Sequence, residues 1–273
     1  MLKDNISGMI ESVSNANVKF VEGLNTKSKN RKKENAFVVE GPRMVFETPV
    51  ELLQKVFVTE DFSKDDSVAE HLQTFINKGI FVETVADKVM KAMSDTVTPQ
   101  GILAVVKKPE YELKDLLSDC PLILMLETIQ DPGNLGTMFR TAEGAGCTGV
   151  ILSKDTVDLF LPKVVRSTMG SLYRMPFVIR EDLDATILEL KQKGVRFYAA
   201  HLGGTHTYDD CDYTSPTAFL IGNEGNGLSA KIAEEADEKI LIPMGGELES
   251  LNAAMASGIL MYEASRQRRR GGK

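Results

Sequence analysis

The sequence predicts an α/β protein with two domains, and three observations support this class. The chain has 273 residues, of which 42% are hydrophobic, so it is long enough for a sizeable core and for two domains. Apolar runs of strand length alternate along it with segments of helical periodicity. Near the C-terminus, the runs 218–222 and 240–244 each end in a turn of Gly, Asn or Pro, followed by a helical pattern. Such turns gather bare backbone groups at one sheet edge, where a polar small molecule can bind.

Residues 1–110 are predicted to form a small α/β domain. Apolar positions within residues 6–26 recur at helical spacing, and a basic loop follows them. A strand at 36–40 leads into Gly41-Pro42-Arg43, where proline suits the first turn of a helix. The remaining predicted elements are strands near 56–59, 80–85 and 101–107 and helices near 68–77 and 87–93.

The predicted second domain spans residues 120–273, after a polar linker at 111–119 that can form a short helix. It opens with an uninterrupted apolar run at 121–127, which suits a strand covered on both faces. Further strands at 150–152, 177–179 and 196–202, helices at 161–169 and 183–192, and the two C-terminal runs predict a largely parallel sheet. The last helix, 251–266, is apolar nearly all round, so a second subunit could supply part of its cover.

One helix of this domain carries an arginine away from the core. It follows the turn 131–134, and its apolar positions recur at i, i+3, i+4 and i+7. These positions are Leu135, Met138, Phe139 and Ala142. At about 100° per residue, Arg140 points roughly 150° from the centre of that stripe. Arg140 is therefore predicted to be free to meet a ligand.

Charge and cysteine content narrow the functional classes. A net charge of −7 disfavours a protein whose whole surface binds nucleic acid, but the basic clusters 27–33 and 266–270 can bind phosphate locally. The three cysteines are far apart, without a C-x-x-C pair, and the three histidines form no metal-ligand grouping. We therefore expect a cytoplasmic protein with reduced cysteines and no bound metal. Neither a signal peptide nor a membrane-spanning run is visible, so no membrane partner is expected.

Three segments together resemble the ordered motifs of a known family. They are NLGTMFRTAE at 134–143, IGNEGNGL at 221–228, and IPM with ESLN at 242–244 and 249–252. In this order and spacing they are similar to the motifs of the SpoU (TrmH-like) RNA 2′-O-ribose methyltransferases of the SPOUT superfamily, over about residues 120–270. Residues 30–108 more weakly resemble the substrate-binding domain, related to RNA-binding ribosomal proteins, that often precedes the catalytic domain.

The resemblance implies methyl transfer from S-adenosylmethionine to a ribose 2′-hydroxyl, with ribosomal RNA as the preferred substrate. It also implies a deep C-terminal trefoil knot, a cofactor bound within it, and a homodimer formed through the knotted domain. The residues implied at the reaction centre are Arg140, Asn134, Glu224, Ser250 and Asn252. Those implied around the cofactor are Gly222, Ile242, Leu251, Leu202, Gly203, Ile221 and Met244. Those implied in RNA binding are Lys29, Arg31, Lys32, Lys33 and Arg43.

Each motif residue also has a purely structural interpretation. Asn134 and Ser250 suit helix N-caps, and Arg140 alone is typical of a solvated surface arginine. It is the joint occurrence of the motifs that favours the methyltransferase. The alternatives are a transfer RNA methyltransferase, an RNA-binding protein that kept the fold without the activity, and a nucleotide-binding α/β enzyme. The last lacks support because the chain has no G-x-x-x-x-G-K-[ST] segment.

The chemistry of Arg140 can be considered on its own. Family accounts often make this arginine the general base, but a guanidinium with an intrinsic pKa above about 12 is a poor one. We expect Arg140 instead to anchor the phosphate beside the target ribose, to lower the hydroxyl pKa electrostatically and to position the oxygen.

Overall fold

The computed structural model describes residues 9–271, which form two compact units. The first unit combines the chain up to Pro109 with Phe160–Tyr173, and the second combines Glu110–Leu159 with the chain from Arg174 onward. Residues Phe160–Tyr173, which lie inside the range predicted for the second domain, therefore pack within the first unit. Residues 6–8 of the predicted helical segment 6–26 lie outside the described residues.

The first unit is built on a four-stranded mixed sheet. Its strands are β1 (Ala36–Glu40), β2 (Leu53–Thr59), β3 (Phe81–Val85) and β4 (Ile102–Lys107), in the spatial order β1-β4-β2-β3. Strand β4 is antiparallel to β1 and β2, whereas β2 and β3 are parallel. The carboxyl ends of β1, β2 and β3 therefore share one edge with the amino end of β4. This edge of the first unit is called the β1–β4 edge below.

Short helices surround this sheet, and their apolar residues form its core. They are α1 (Ala16–Thr26), α2 (Ser28–Lys33), α3 (Pro42–Phe46), α4 (Glu60–Ser63), α5 (Asp66–Asn77), α6 (Asp87–Met93) and α8 (Pro162–Thr168), with 3-10 turns at Val50–Leu52 and Ser171–Tyr173. Helix α1 starts where Asn15 accepts a hydrogen bond from the Asn17 N–H, and it buries Val18, Val21 and Leu24. The prediction of a basic loop after it is wrong, because residues 28–33 form α2.

The second unit contains a seven-stranded sheet in which all neighbouring strands are parallel. Its strands are β5 (Leu122–Leu126), β6 (Gly149–Ser153), β7 (Phe177–Arg180), β8 (Arg196–Ala200), β9 (His206–Thr207), β10 (Thr217–Ile221) and β11 (Glu238–Leu241), in the order β7-β6-β5-β10-β8-β11-β9. Every residue of the central strands β5 and β10 is buried, as their uninterrupted apolar runs predict. The predicted α/β class is confirmed, and the trefoil knot stays a prediction.

The helices of the second unit are α7 (Pro132–Ala145), α9 (Leu183–Gln192), α10 (Ala230–Glu234) and α11 (Ala253–Gly271), with 3-10 turns at Leu113–Leu116 and Tyr208–Asp210. Helix α7 begins at Asp131, whose carboxylate accepts from the Asn134 N–H, and it ends at Gly146 in the left-handed conformation. Its predicted apolar stripe is fully buried, and Arg140 is exposed. Helix α11 packs against α7, but Met255 and Tyr262 remain 61% and 48% exposed.

Candidate active site

The loops that follow β8, β10 and β11 enclose a cavity of about 500 Å³ at the carboxyl edge of the parallel sheet. This volume lies within the range of about 300–1,000 Å³ that is typical of small-molecule sites. The structure brings six of the seven predicted cofactor residues to its wall, and Gly203 is the exception. The six are Leu202, Ile221, Gly222, Ile242, Met244 and Leu251.

Gly222 allows the chain to pass close to itself at the end of β10. A Cβ atom on Gly222 would overlap backbone atoms of Gly227 and Leu228. Asn223 and Gly227 exchange two backbone hydrogen bonds of 3.0 and 2.9 Å, which close the turn between them. The Asn223 side chain stiffens this turn, because its Oδ1 accepts from the Gly225 and Asn226 N–H groups. Its Nδ2 donates to the Thr128 carbonyl at 2.9 Å. The turn is thus preorganised before a ligand binds.

A hydrogen-bonded chain of three predicted residues borders the cavity. The Glu224 carboxylate accepts from the Asn134 Nδ2 at 3.1 Å and from the Gln130 and Asp131 backbone N–H groups at 3.1 and 3.0 Å. The Asn134 Oδ1 in turn accepts from the Asn252 Nδ2 at 3.0 Å. Since each end of the Asn134 amide has a partner, its orientation is fixed. We call Glu224, Asn134 and Asn252 the amide–carboxylate chain.

Two spaces meet at the Glu224 end of the amide–carboxylate chain. Glu224, Ser250 and Leu251 line the cavity and also a more open recess next to it. Asn134 and Asn252 line the recess alone. A small molecule in the cavity and a larger substrate in the recess would therefore meet at Glu224 and Ser250.

The hydrogen bonds also set the ionisation of Glu224. Partial burial raises the pKa of its carboxyl group, but the hydrogen bonds from Asn134, Gln130 and Asp131 outweigh that effect and hold the pKa below its usual range. Glu224 is therefore a carboxylate at neutral pH and a poor proton acceptor. Its role in the site is to hold its partners and to supply negative charge.

The structure also decides which residues cap the two helices at the site. Asp131, not Asn134, caps α7. The Asn252 Oδ1 accepts from the Ala254 and Met255 N–H groups at 2.9 and 3.3 Å, so Asn252, not Ser250, caps α11. The capping interpretations of Asn134 and Ser250 are therefore wrong, and both side chains are available to the site.

Arg140 does not join the other four predicted catalytic residues within one chain. It lines neither space, and its guanidinium has no hydrogen bond or ion pair to any residue of 9–271. It lies six residues beyond Asn134 on α7, which places it about 9 Å further along the axis and about 120° around it. The nearby Glu143 carboxylate is paired with Arg174, whose Nη2 and Nε donate to it. Arg140 thus presents an unneutralised charge on the surface of α7.

The predicted RNA-binding residues have different environments. Lys29, Lys32, Lys33 and Arg43 are exposed, although Arg43 also forms an ion pair with a nearby glutamate. Arg31 is only 1% exposed and donates to the Leu24 and Asn25 carbonyls at 2.6 and 3.2 Å. Its inclusion among the RNA-binding residues is wrong, because its guanidinium is used to hold α1 and α2 together.

The C-terminal basic cluster is likewise partly structural. The Arg268 guanidinium donates to the backbone carbonyls of Cys120, Pro121, Tyr213 and Ser215 at 2.8–3.1 Å. It therefore fastens the end of α11 to the segments that lead into β5 and β10. Arg269 and Arg270 remain exposed.

Two residues near the site were not predicted from the sequence. The Glu127 carboxylate, directly after β5, accepts from the N–H and hydroxyl of Ser229 at 2.7 Å each. Thr128 adopts a left-handed backbone conformation with φ of 52°, which is uncommon for a residue other than glycine. Both lie where β5 ends, and the sequence signal that could have indicated them is the polar turn directly after an apolar strand.

The chemistry of the cavity fits S-adenosylmethionine, the cofactor that the motifs imply. Its apolar side chains Leu202, Ile242 and Leu251 suit the adenine, and the bare backbone around Gly222 suits the polar groups of the nucleoside. The Glu224 carboxylate complements a cationic sulfonium. In the described part of the chain, no group of three or more His, Cys, Asp or Glu residues could hold a metal ion. No helix of residues 9–271 is long and apolar enough to cross a bilayer.

Comparisons with known proteins agree with this geometry. The profile of the SpoU rRNA Methylase family matches residues 121–262, and that of the MRM3-like substrate binding domain matches residues 15–104. The 23S rRNA (guanosine(2553)-2′-O)-methyltransferase RlmP of Bacillus subtilis is 37% identical over 93% of this chain and 97% of its own length. The human mitochondrial rRNA methyltransferase 3 is 30% identical, over 88% of this chain and 69% of its own.

Solved structures give the same result. The AdoMet-bound rRNA methyltransferase from Sinorhizobium meliloti matches with a TM-score of 0.85 at 30% identity, over 95% of this chain and 97% of that one. The SpoU methyltransferase AviRb from Streptomyces viridochromogenes, in complex with AdoMet, matches with a TM-score of 0.84 at 27% identity, over 95% of this chain and 100% of that one. The resemblance found in the three sequence motifs is confirmed: the chain belongs to the SpoU rRNA methylase family.

Proposed function

We propose that this chain transfers a methyl group from S-adenosylmethionine to a ribose 2′-hydroxyl of 23S rRNA. The observation that carries the proposal is the amide–carboxylate chain, which lines an open recess and, through Glu224, also borders a cavity of cofactor size. Bound S-adenosylmethionine supplies an electrophilic methyl group on its sulfonium. The residues of this chain must bind that donor and align the ribose oxygen with it, and the hydroxyl proton passes to solvent water in the open recess because Glu224 is a poor proton acceptor.

The cavity residues divide this work between backbone and side chain. The backbone at Gly222, Ile242 and Leu251 holds the adenine and ribose of the cofactor, and the apolar side chains exclude water around it. The Ser250 hydroxyl, at the wall shared by cavity and recess, positions the incoming ribose oxygen. Asn134 and Asn252 fix the start of α7 against the start of α11, so that the recess keeps its shape.

Arg140 completes the site from a second copy of the chain. It is too far around α7 to face the recess of its own chain, and its guanidinium is left without a partner among the described residues. Helix α11, which packs on α7, exposes Met255 and Tyr262 to solvent. A homodimer formed through these helices covers both side chains and brings the Arg140 of each copy to the recess of the other. There the guanidinium anchors the phosphate next to the target ribose and stabilises the developing oxyanion.

Ribosomal RNA is favoured over transfer RNA by the extent of the matches. The rRNA methyltransferase relatives cover 88–93% of this chain, including the first unit. Two solved structures, one of a TrmH/SpoU tRNA modifying enzyme and one concerned with methylation of C/U34 on tRNA, cover only 58% and 57% of it. We assign the first unit to binding of the rRNA substrate and place the protein in the cytoplasm, where rRNA and reducing conditions coincide. All three cysteines are free, in agreement with that compartment.

A methylation assay tests the proposal. The purified chain is incubated with methyl-labelled S-adenosylmethionine and either unmodified 23S rRNA or a transfer RNA pool. We expect label in 23S rRNA at one nucleotide, whose 3′ phosphodiester resists alkaline hydrolysis because its 2′-oxygen is blocked. Label found on a base, or only in transfer RNA, would contradict the proposed function.

A further inference from the structure

The loop Ser94–Gly101, between α6 and β4 of the first unit, holds an apolar side chain out in solvent. Val97 is 91% exposed, whereas the other exposed large hydrophobic residues of this unit are 39–44% exposed. We propose that this loop is an RNA-contact site and that Val97 packs against an unstacked base of the rRNA substrate. The inference rests on the proposed function and adds the place where the first unit contacts the RNA.

The loop has no regular secondary structure, yet side chains hold it in place. The Glu40 carboxylate, at the end of β1, accepts from the Asp95 N–H at 3.2 Å and from the Thr96 hydroxyl. The Asp95 carboxylate pairs with Arg166 of α8 at 2.9 Å. These contacts secure the two residues that directly precede Val97. A β-branched side chain on an anchored loop loses little conformational freedom when a partner covers it.

The far end of the loop is held as well. The Gly101 carbonyl accepts from the Thr59 N–H at 2.9 Å, and Gly101 itself adopts a φ of +80° close to the Phe62 side chain. Gly41, with a φ of +92°, has the Gln100 side chain where its own Cβ would lie. Val97 therefore extends from a loop fixed on both sides, which distinguishes it from an exposed residue on a mobile turn.

The loop itself carries little free negative charge. Its own Asp95 and the adjacent Glu40 are occupied by an ion pair or hydrogen bonds within the first unit, and Glu60 and Asp61, which follow β2 at the same edge, pair with Lys64. The stretch 96–100, Thr-Val-Thr-Pro-Gln, carries no charge that would repel phosphate. Arg43 lies two residues beyond Gly41 at the same β1–β4 edge; it is exposed, and its Nε donates to the Glu47 carboxylate at 2.9 Å. In such a complex, the cation would contact a phosphate of the RNA, and the apolar side chain would contact the unstacked base next to it.

This location differs from the one that the basic cluster indicates. Lys29, Lys32 and Lys33 lie on α2, before the amino end of β1, whereas the loop lies at its carboxyl end. The five residues of β1 separate the two regions by roughly 15 Å. Bases splayed out of RNA helices stack on aromatic side chains, and extruded bases also pack against apolar ones. Val97 offers such an apolar contact, and a lysine does not.

The test compares RNA affinity among variants of the full chain, with unmodified 23S rRNA as the probe in filter binding. We expect Val97→Ser to raise the Kd about fivefold and Val97→Ile to leave it unchanged, because isoleucine keeps the apolar contact. Phe81→Ser is the matched control, since Phe81 is 41% exposed but starts β3 at the opposite edge of the sheet. It should bind the RNA like the parent chain. At saturating RNA, the methyl-transfer rate of Val97→Ser should also be unchanged.

The outcomes separate this inference from the proposed function. If the parent chain methylates 23S rRNA but Val97→Ser binds it with unchanged Kd, the inference fails and the proposed function stands. If the parent chain binds 23S rRNA and Val97→Ser weakens that binding, but no ribose is methylated, the proposed function fails instead. If Val97→Ser alters the molar mass in light scattering while RNA affinity is kept, the loop is a protein interface and the inference is overturned.

Discussion

The isosteric variant Asn134→Asp perturbs the centre of the amide–carboxylate chain without changing its size. It replaces an N–H donor, 3.1 Å from the Glu224 Oε1, with a carboxylate oxygen. Two unit charges at that distance repel by about 1.3 kcal/mol in water and by about 5 kcal/mol at an effective dielectric constant near 20. Because Glu224 is exposed, the repulsion energy in the protein is closer to the lower value. Loss of the charge-assisted hydrogen bond adds about 1.5 kcal/mol. The total is about 3 kcal/mol.

If the site must be ordered in the transition state, that cost appears in the rate of methyl transfer. We expect single-turnover transfer, at saturating cofactor and RNA, to fall about 100-fold in Asn134→Asp. The Glu224 charge raises the pKa of the introduced carboxyl group, and protonation turns it back into a neutral donor. The variant should therefore gain activity, relative to the parent chain and to Asn134→Ala, as the pH falls from about 8 toward about 5.

Asn252→Asp is the control for this prediction. It keeps the oxygen that caps α11 but loses the donor to Asn134, and it places no second carboxylate directly against Glu224. We expect the methyl-transfer rate of Asn252→Asp to fall by less, about tenfold, and to recover less at low pH. Activity of Asn134→Asp within twofold of the parent chain, or a loss of activity independent of pH, would show that the Asn134–Glu224 contact does not order the site.

Two further predictions concern residues near the amide–carboxylate chain. Gly222→Ala should weaken S-adenosylmethionine binding at least tenfold in titration calorimetry, because the added methyl overlaps backbone atoms of its own turn. Gly245→Ala should not weaken this binding, because a Cβ there meets nothing within 4 Å. Equal losses of affinity in the two variants would contradict a specific role for the turn at Gly222. Arg174→Ala should slow methyl transfer about twofold at low salt, because it removes a cation paired with Glu143, whose negative charge lies one helical turn from Arg140. Adding Glu143→Ala should restore the rate, and simple additivity of the two changes would exclude this explanation.

Local sequence patterns predicted the buried framework of the second unit because that framework depends on local periodicity. The uninterrupted apolar runs became β5 and β10, buried on both faces, and the stripe on α7 left Arg140 outside. The start of α11 was placed at Leu251 because Ser250 suits a cap. The cap is instead Asn252, since its amide also has a partner in Asn134.

Features that depend on contacts distant in sequence were not predictable from local patterns. Arg31 lies in a run of exposed basic residues, and only the position of two backbone carbonyls turns it into a buried structural residue. The segment Phe160–Tyr173 has ordinary helical periodicity, and nothing in it indicates that it packs within the first unit. The three motifs named the residues of the amide–carboxylate chain, but the hydrogen bonds that link them required the structure. Likewise, only the structure shows that Arg140 lies apart from those residues within one chain.

In the proposed dimer, each site combines the amide–carboxylate chain of one copy with Arg140 of the other. Arg140→Ala and Asn134→Ala proteins, each inactive alone, are mixed in equal amounts, allowed to exchange subunits, and assayed for methyl transfer to 23S rRNA. Half of the dimers are then mixed, and each mixed dimer contains one intact site, so activity should recover to about a quarter of that of the parent chain. Activity that stays at the level of the separate variants, although subunit exchange is demonstrated, would contradict the claim.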